Sequence, residues 1–315
     1  MGTEKIPGKL SKPHNKVLIV GDLAVDFIFN VEHIKGNINL VRSDPIVGGC
    51  AFNAAMGFKQ CGGGVIPIVC ASVGDDLHGR IIQKKISEAG IIFAGNASKT
   101  AITGFTSIIY SEDNNRIIIN DSKNSANNYD INTIKKTIDT YQIGRGDIIL
   151  FVGYAIPRFG IKHCMQLVEI FIKSGAAIAV DLVPHNLFAI EDAANCQKIT
   201  LADCYELLKH AILLIAEYRT LCGFLGRTPL YGVDGQTEPS TDEIKYICDL
   251  FPGVYIDLRY GIGEISMQLI YKKNRGLVKS QKTGYELLEK ENRRGFGDIL
   301  TARTIIEIQT GMVYN

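Results

Sequence analysis

The chain has 315 residues, 46% of them hydrophobic, and a formal net charge of +1, enough apolar material for a large core in one main domain. Lys and Arg are spread among the acids, and no apolar run reaches the length of a membrane span, so neither a nucleic-acid nor a membrane surface is expected. The eight cysteines stand singly, without a C-x-x-C or a histidine at zinc spacing, and read as the thiols of a reduced, cytoplasmic protein.

Residues 1–15 are polar and lack the apolar core of a secretory signal, so a flexible lead-in is expected before a single domain over residues 16–315. Lys16–Val20 reads as a buried strand that ends at Gly21-Asp22, with Asp26 shortly after. Phe27–Val31 and Asn39–Val47 read as extended segments, where a simple Rossmann unit would place a helix. Gly48-Gly49-Cys50-Ala51-Phe52-Asn53 then opens a helix that carries an amide. Val65–Cys70 is a second strand, and Ser72 to Gly79 turns from it into another helix. Gly104–Tyr110 and Arg116–Asn120, around a turn at Glu112–Asn115, form a hairpin pattern. The two excursions, at about 27–47 and 104–120, predict a small sheet standing off the main domain.

Beyond Asp130, strands Asp147–Val152, Ala177–Asp181, Ala211–Ile215 and Val254–Leu258 alternate with helices Phe159–Lys173, Leu201–Lys209, Glu217–Phe224 and Asp242–Leu250. Such alternation predicts parallel strands joined by crossover helices. Gly226–Thr241 reads as a long surface loop, and Lys272–Arg275 as a solvated turn between two strands. Ligands in open α/β sheets bind at the carboxyl ends of the strands, where Asp26, Gly48, Gly49, Asn53 and Gly74-Asp75-Asp76 are expected. A bland alternative stands beside each: Asp26 caps a turn, Asn53 is a buried helix amide, and Asp75 or Asp76 caps the next helix. Asp181 faces the crevice or caps its own turn.

Gly295-Phe296-Gly297-Asp298 precedes the apolar run Ile299–Ile306. Two glycines allow close backbone approach, and the free N–H groups of a helix's first turn form an anion site. A carboxylate there is placed to take a proton from an attacking hydroxyl. The same four residues also describe a glycine turn with Asp298 as N-cap. No Walker A frame and no Ser–His–Asp or Cys–His arrangement is present.

From Val17 to Ile308 these blocks, in this order, resemble the ribokinase-like (PfkB) carbohydrate kinases. The resemblance implies a three-layer α/β/α domain with a mostly parallel central sheet and a small β-sheet lid, through which two subunits form a homodimer. It implies that Asp26, Gly48, Gly49 and Asn53 bind the hydroxyls of a sugar or nucleoside. Asp298 would be the general base, and the Gly295, Phe296 and Gly297 amides the anion hole. ATP would be the phosphoryl donor, with Mg²⁺, whose ligands stay unassigned.

The nucleotide half departs from the family pattern. Arg259-Tyr260-Gly261-Ile262-Gly263 stands where the family has a glycine-rich turn, which would put Gly261 and Gly263 at the nucleotide. Asn292-Arg293-Arg294 stands where Asp-Thr and a small residue are common; Arg293 and Arg294 either neutralise phosphate or plug the site. Ala216-Glu217-Tyr218-Arg219 replaces an Asn-x-x-Glu, with Glu217 shifted along the helix, and only Ile299 to Asn315 follow Asp298. Two readings follow: a kinase for a sugar or nucleoside hydroxyl, or a kinase-derived sugar-binding or regulatory protein with a degenerate nucleotide site.

Overall fold

The computed structural model describes residues 16–31, 43, 45–62, 64–111, 116–120, 130–152, 155–182, 205, 208–218, 221–222, 239–262, 265–284, 287–288 and 295–310. The lead-in at 1–15, most of the segment at 39–47, the turn at 112–115 and nearly all of the loop at 226–241 lie outside them. So do Arg219, Gly263, Asn292, Arg293 and Arg294.

The apolar run of β1 (Lys16–Val20) is buried on both faces, as a parallel strand covered on both sides must be. It pairs in parallel with β4 (Ile66–Cys70) and β10 (Ile148–Val152), and the ladder continues through β11 (Ala177–Leu182), β12 (Leu213–Glu217) and β13 (Tyr255–Ile262). β14 (Ile265–Lys272) and β15 (Gly276–Lys282) extend it antiparallel at one edge. β6 (Ile92–Phe93) closes the other edge of this nine-stranded sheet. Side chains alternate between the faces. Leu18 and Val20 join a core with Ile134 of α3 (Ile131–Thr140), Phe171 of α4 (Ala155–Ser174) and Ile247 of α5 (Thr241–Leu250). Val17 and Ile19 join a second core with Phe58 of α1 (Cys50–Cys61), Ile82 of α2 (Leu77–Glu88) and Ile305 of α6 (Phe296–Thr310). The expected three-layer, mostly parallel arrangement is what forms.

A separate four-stranded sheet takes the order β3 (Pro45–Gly48), β2 (Ala24–Val31), β8 (Phe105–Ser111), β9 (Arg116–Asn120). β2 runs parallel to β8, and the outer pairs are antiparallel. Both expected excursions therefore meet in one small sheet.

Three local expectations are corrected. Ser72–Gly74 is not only a turn but a short strand, β5, paired with β7 (Asn96–Ser98). β12 runs on to Glu217, so the following helix starts later than expected. β13 runs on through Gly261, which faces Ser266 of β14 in an antiparallel ladder. A hairpin partner gives this backbone ladder hydrogen bonds that a glycine turn would leave to solvent or ligand.

Helices α1 and α6 lie side by side. A Cβ on Gly57 would stand 2.9 Å from both the Ala302 Cβ and the Ile299 Cα. The absent side chain is what lets the two backbones approach, one helical turn beyond Asn53. Among the described residues no helix is long and apolar enough to cross a membrane.

Candidate active site

The site is built where α1 and α6 begin, above the ends of β1, β11 and β13. Gly49 adopts φ 91°, a conformation that favours glycine, and a Cβ there would fall 2.4 Å from the Asp22 carbonyl oxygen. That closeness lets Asp22 serve α1 in place of a side-chain cap. Its Oδ2 accepts from the Cys50 N–H at 3.3 Å and its carbonyl from the Ala51 N–H at 3.1 Å. The other carboxylate oxygen of Asp22, Oδ1, is buried and has no hydrogen-bond partner among the described residues.

Gly295 adopts φ 67°, and a Cβ there would meet the Asn53 Cγ at 2.7 Å. Asn53 therefore reaches past it, and its Nδ2 donates to Asp298 Oδ2 at 3.1 Å. Asp298 is the third residue of α6, not its N-cap. The Ile299 N–H bonds the Gly295 carbonyl, which closes the first turn of α6. The glycine blocks of the two ends of the chain thus meet at one helix start beside a carboxylate.

The other expected residues fall as follows. Gly48 ends β3 and is buried. Asp26 is buried within β2, not on a turn, and pairs across to Ile46 and Thr106, two ladder positions from the Ala24–Gly48 pair. Asp75 is exposed and lies 3.7 Å from Arg80. Asp76 caps α2 through Gly79 N–H at 2.8 Å and also accepts from the Thr103 N–H and hydroxyl, both at 2.7 Å. Burial would raise its proton affinity, but these hydrogen bonds outweigh it and hold the carboxyl below its ordinary range. Gly261 lies inside β13 rather than in a phosphate-binding turn.

Sequence reasoning missed the layer beneath Asp298. Arg259 of β13 sends Nη1 to the Gly297 carbonyl at 2.8 Å, and Nη2 to Asp257 Oδ2 at 3.1 Å and Thr301 Oγ1 at 3.0 Å. Thr301 in turn donates to Asp181, which is buried; the turn that follows Leu182 lies outside the described residues. Asp257 is fully buried and also accepts from Gln268 Nε2 at 2.8 Å and Thr304 Oγ1 at 3.2 Å. A signal was available: Asp257 and Arg259 are two apart on an apolar strand and so share a face, as do Thr301 and Thr304 on their helix.

These acids crowd one another. Burial, reinforced by Asp181 and Asp22, pushes Asp298 up to about 8, against the Asn53 hydrogen bond and the Arg259 charge. Burial pushes Asp181 up to about 6, with Arg259 and Thr301 opposing. The Cys50 thiol is held well above its ordinary value by burial and by Asp22, Asp298 and Asp181. A carboxylate of raised proton affinity can accept a proton near neutral pH, and a helix N-terminus beside it favours an anion. Among the described residues no group of three His, Cys, Asp or Glu forms a metal cage.

Residues 14–203 match the model of the pfkB family carbohydrate kinases. No curated protein matches the chain. Among solved structures it is similar to the ribokinase from Giardia lamblia, at 14% identity and a TM-score of 0.69, over 94% of this chain and 86% of that one. It is also similar to the Xylella fastidiosa fructokinase with bound ATP, at 12% identity and a TM-score of 0.65, over 94% and 83%. The Arabidopsis thaliana ribokinase complexed with ribose and ATP matches at 14% identity and a TM-score of 0.60, over 94% and 86%. At these identities the likeness is one of fold.

Proposed function

We propose, for a chain that belongs to the pfkB family of carbohydrate kinases, that it transfers the γ-phosphoryl group of ATP to a hydroxyl of a sugar or nucleoside. Asp298 acts as general base and the Gly295, Phe296 and Gly297 amides as the anion hole. The observation that carries this reading is the Asn53–Asp298 hydrogen bond at the glycine-opened start of α6. An acceptor hydroxyl takes the place of the Asn53 amide at the carboxylate and gives up its proton to it. Its oxygen forms a bond to the γ-phosphorus as the bond to the bridging oxygen breaks, and the charge on the phosphoryl oxygens meets the amides. Asp26, Gly48, Gly49 and Asn53 line the acceptor side, where carboxylate and amide suit a polyol.

ATP as donor is supported by its presence in two solved structures of this fold. Mg²⁺ fits as an ion carried in on the nucleotide, because it binds through one or two carboxylates plus phosphates rather than an all-protein cage. Its protein ligands stay unassigned, and the ion would supply charge neutralisation on the phosphates. Arg293 and Arg294 precede the anion hole directly and are assigned to phosphate. The small sheet serves as the lid that excludes water, and its exposed apolar residues Ile46 and Ile119 suit a homodimer contact. A reduced, cytoplasmic setting agrees with the free thiols of Cys50, Cys61, Cys70, Cys222 and Cys248.

The continuation of β13 through Gly261 favours the second reading, a sugar-binding protein with a degenerate nucleotide site. A screen of nucleotide consumption, with ATP and GTP over sugars, sugar phosphates and nucleosides, separates the two. Turnover abolished in Asp298→Asn supports the kinase. Calorimetric binding of a sugar without turnover of any acceptor supports the binding protein.

A further inference from the structure

Arg259 brings a guanidinium to the first turn of α6 from the sheet below it. Its Nη1 holds the Gly297 carbonyl at 2.8 Å, while Nη2 holds Asp257 and Thr301. Asp257 is fixed by Gln268 and Thr304, and Gln268 accepts from Gln281 Nε2 at 2.6 Å. Thr301 donates onward to Asp181. One planar fork thus ties strands β11, β13, β14 and β15 to the residue immediately before Asp298.

Packing does not require this cation. Ala302, Ile305, Ile306 and Ile308 already bury α6 against the sheet, and an apolar residue among them would cost less than desolvating a guanidinium and its carboxylates. What an apolar side chain could not do is hold the Gly297 carbonyl at a defined angle. We propose that Arg259 is a positioning residue for phosphoryl transfer: by gripping the Gly297 carbonyl it sets where the anion-hole amides and the Asp298 carboxylate stand relative to the acceptor hydroxyl. The inference rests on the reading of Asp298 as general base.

The same guanidinium acts on the proton of Asp298. Asp298 is faced by Asp22 from the turn after β1, by Cys50 and Asn53 from α1, by Asp181 from β11 and by Arg259 from β13. Asp257 lies beside Arg259, and Glu217 of β12 is in register with it. Among the described residues of this set Arg259 is the positive charge, and it draws the proton affinity of Asp298 down. Without it the base stays protonated over more of the neutral range.

The test uses the full chain with Arg259→Gln and Arg259→Lys. Steady-state kinetics are followed across the neutral and alkaline range with an acceptor found in the screen. In parallel, carboxyl NMR of aspartate-labelled protein follows the Asp298 titration, identified by its loss in Asp298→Asn. Arg259→Gln should lower kcat about tenfold or more with acceptor KM within about threefold. It should also move the acid limb and the NMR midpoint up by at least about half a pH unit. Arg259→Lys should restore the limb but not kcat, because an ammonium keeps the charge and cannot bridge as the fork does. Arg259→Gln leaves Asp257 buried without its cation, so Arg259→Gln/Asp257→Asn is measured beside it as a folded variant with no stranded charge. Wild-type kcat in these variants overturns the proposal. So does a lowered kcat with an unmoved limb and midpoint, which marks a purely structural role. A wild-type protein without turnover sinks the general-base reading instead; the NMR midpoint then decides the hold of Arg259 on Asp298, a shift supporting it and an unmoved midpoint overturning it.

Discussion

The Asn53 amide donates to the Asp298 carboxylate at 3.1 Å, across a separation of 245 positions in the chain. Each residue sits in the first turns of its own helix, and each helix begins at a glycine with positive φ. The contact therefore depends on two local turns and one helix–helix packing. Its disruption can be aimed at any of the three.

Asp298→Asn should keep the fold and lower kcat at least about a hundredfold, the scale for loss of a general base. The substitution is nearly isosteric and removes a carboxylate that burial already drives toward its neutral form. Kinetics with circular dichroism check it, and an active, folded Asp298→Asn enzyme would remove this residue from the chemistry.

Activity and stability should respond to pH in opposite senses. Turnover needs Asp298 ionised, so kcat/KM rises as pH rises through about 8. An unfolded aspartate loses its proton near about 4. The folded protein keeps those of Asp181 and Asp298 until about 6 and about 8. Over that window the unfolded chain binds fewer protons, so these two groups lower stability as pH rises from about 4, in full above about 8. Urea unfolding on either side of the window, for wild type and Asp298→Asn, should show the variant losing less. Parallel curves for the two proteins would contradict the raised proton affinity.

Gly57→Ala should destabilise the protein although alanine is the better helix former. The new methyl would sit 2.9 Å from the Ala302 Cβ and the Ile299 Cα, neither of them the end of a flexible side chain. Overpacking of this kind costs about 1–3 kcal/mol, more than the propensity gain of roughly 1 kcal/mol. A lower Tm together with a lower kcat is expected, since parting α1 from α6 separates Asn53 from Asp298. An unchanged Tm would mean the helices absorb the methyl freely.

Asp26→Ala should raise the acceptor KM by roughly tenfold to a hundredfold, as loss of a charged hydrogen-bond partner of about 1.5–3 kcal/mol implies. Initial rates over a series of acceptor concentrations measure it. Acceptor affinity equal to wild type would make Asp26 a structural residue of β2.

Much of this protein is decided by neighbours in the chain. The alternation of apolar strands and amphipathic helices, the hairpin pattern at 104–120 and the glycines that open α1 and α6 are local chemistry, and the sequence alone determines them. The capping role of Asp76, one of two readings the sequence allows, is a local bond to the Gly79 N–H three positions on, and what the fold adds is Thr103, 27 positions away. Strand ends depended on partners in the same way. β13 continues past Leu258 because β14 is there to pair with it, and a glycine that reads as a turn becomes a ladder residue. Only the tertiary structure decided the polar layer below Asp298. Asp257 and Arg259 share a face of β13, but Asp181 stands on β11 and Thr301 on α6, and pattern along one strand says nothing about which groups of another element its buried charges will face. Burial and proximity, which raise the proton affinity of Asp298 and place Arg259 against Gly297, exist only once the sheet has brought those strand ends under one helix.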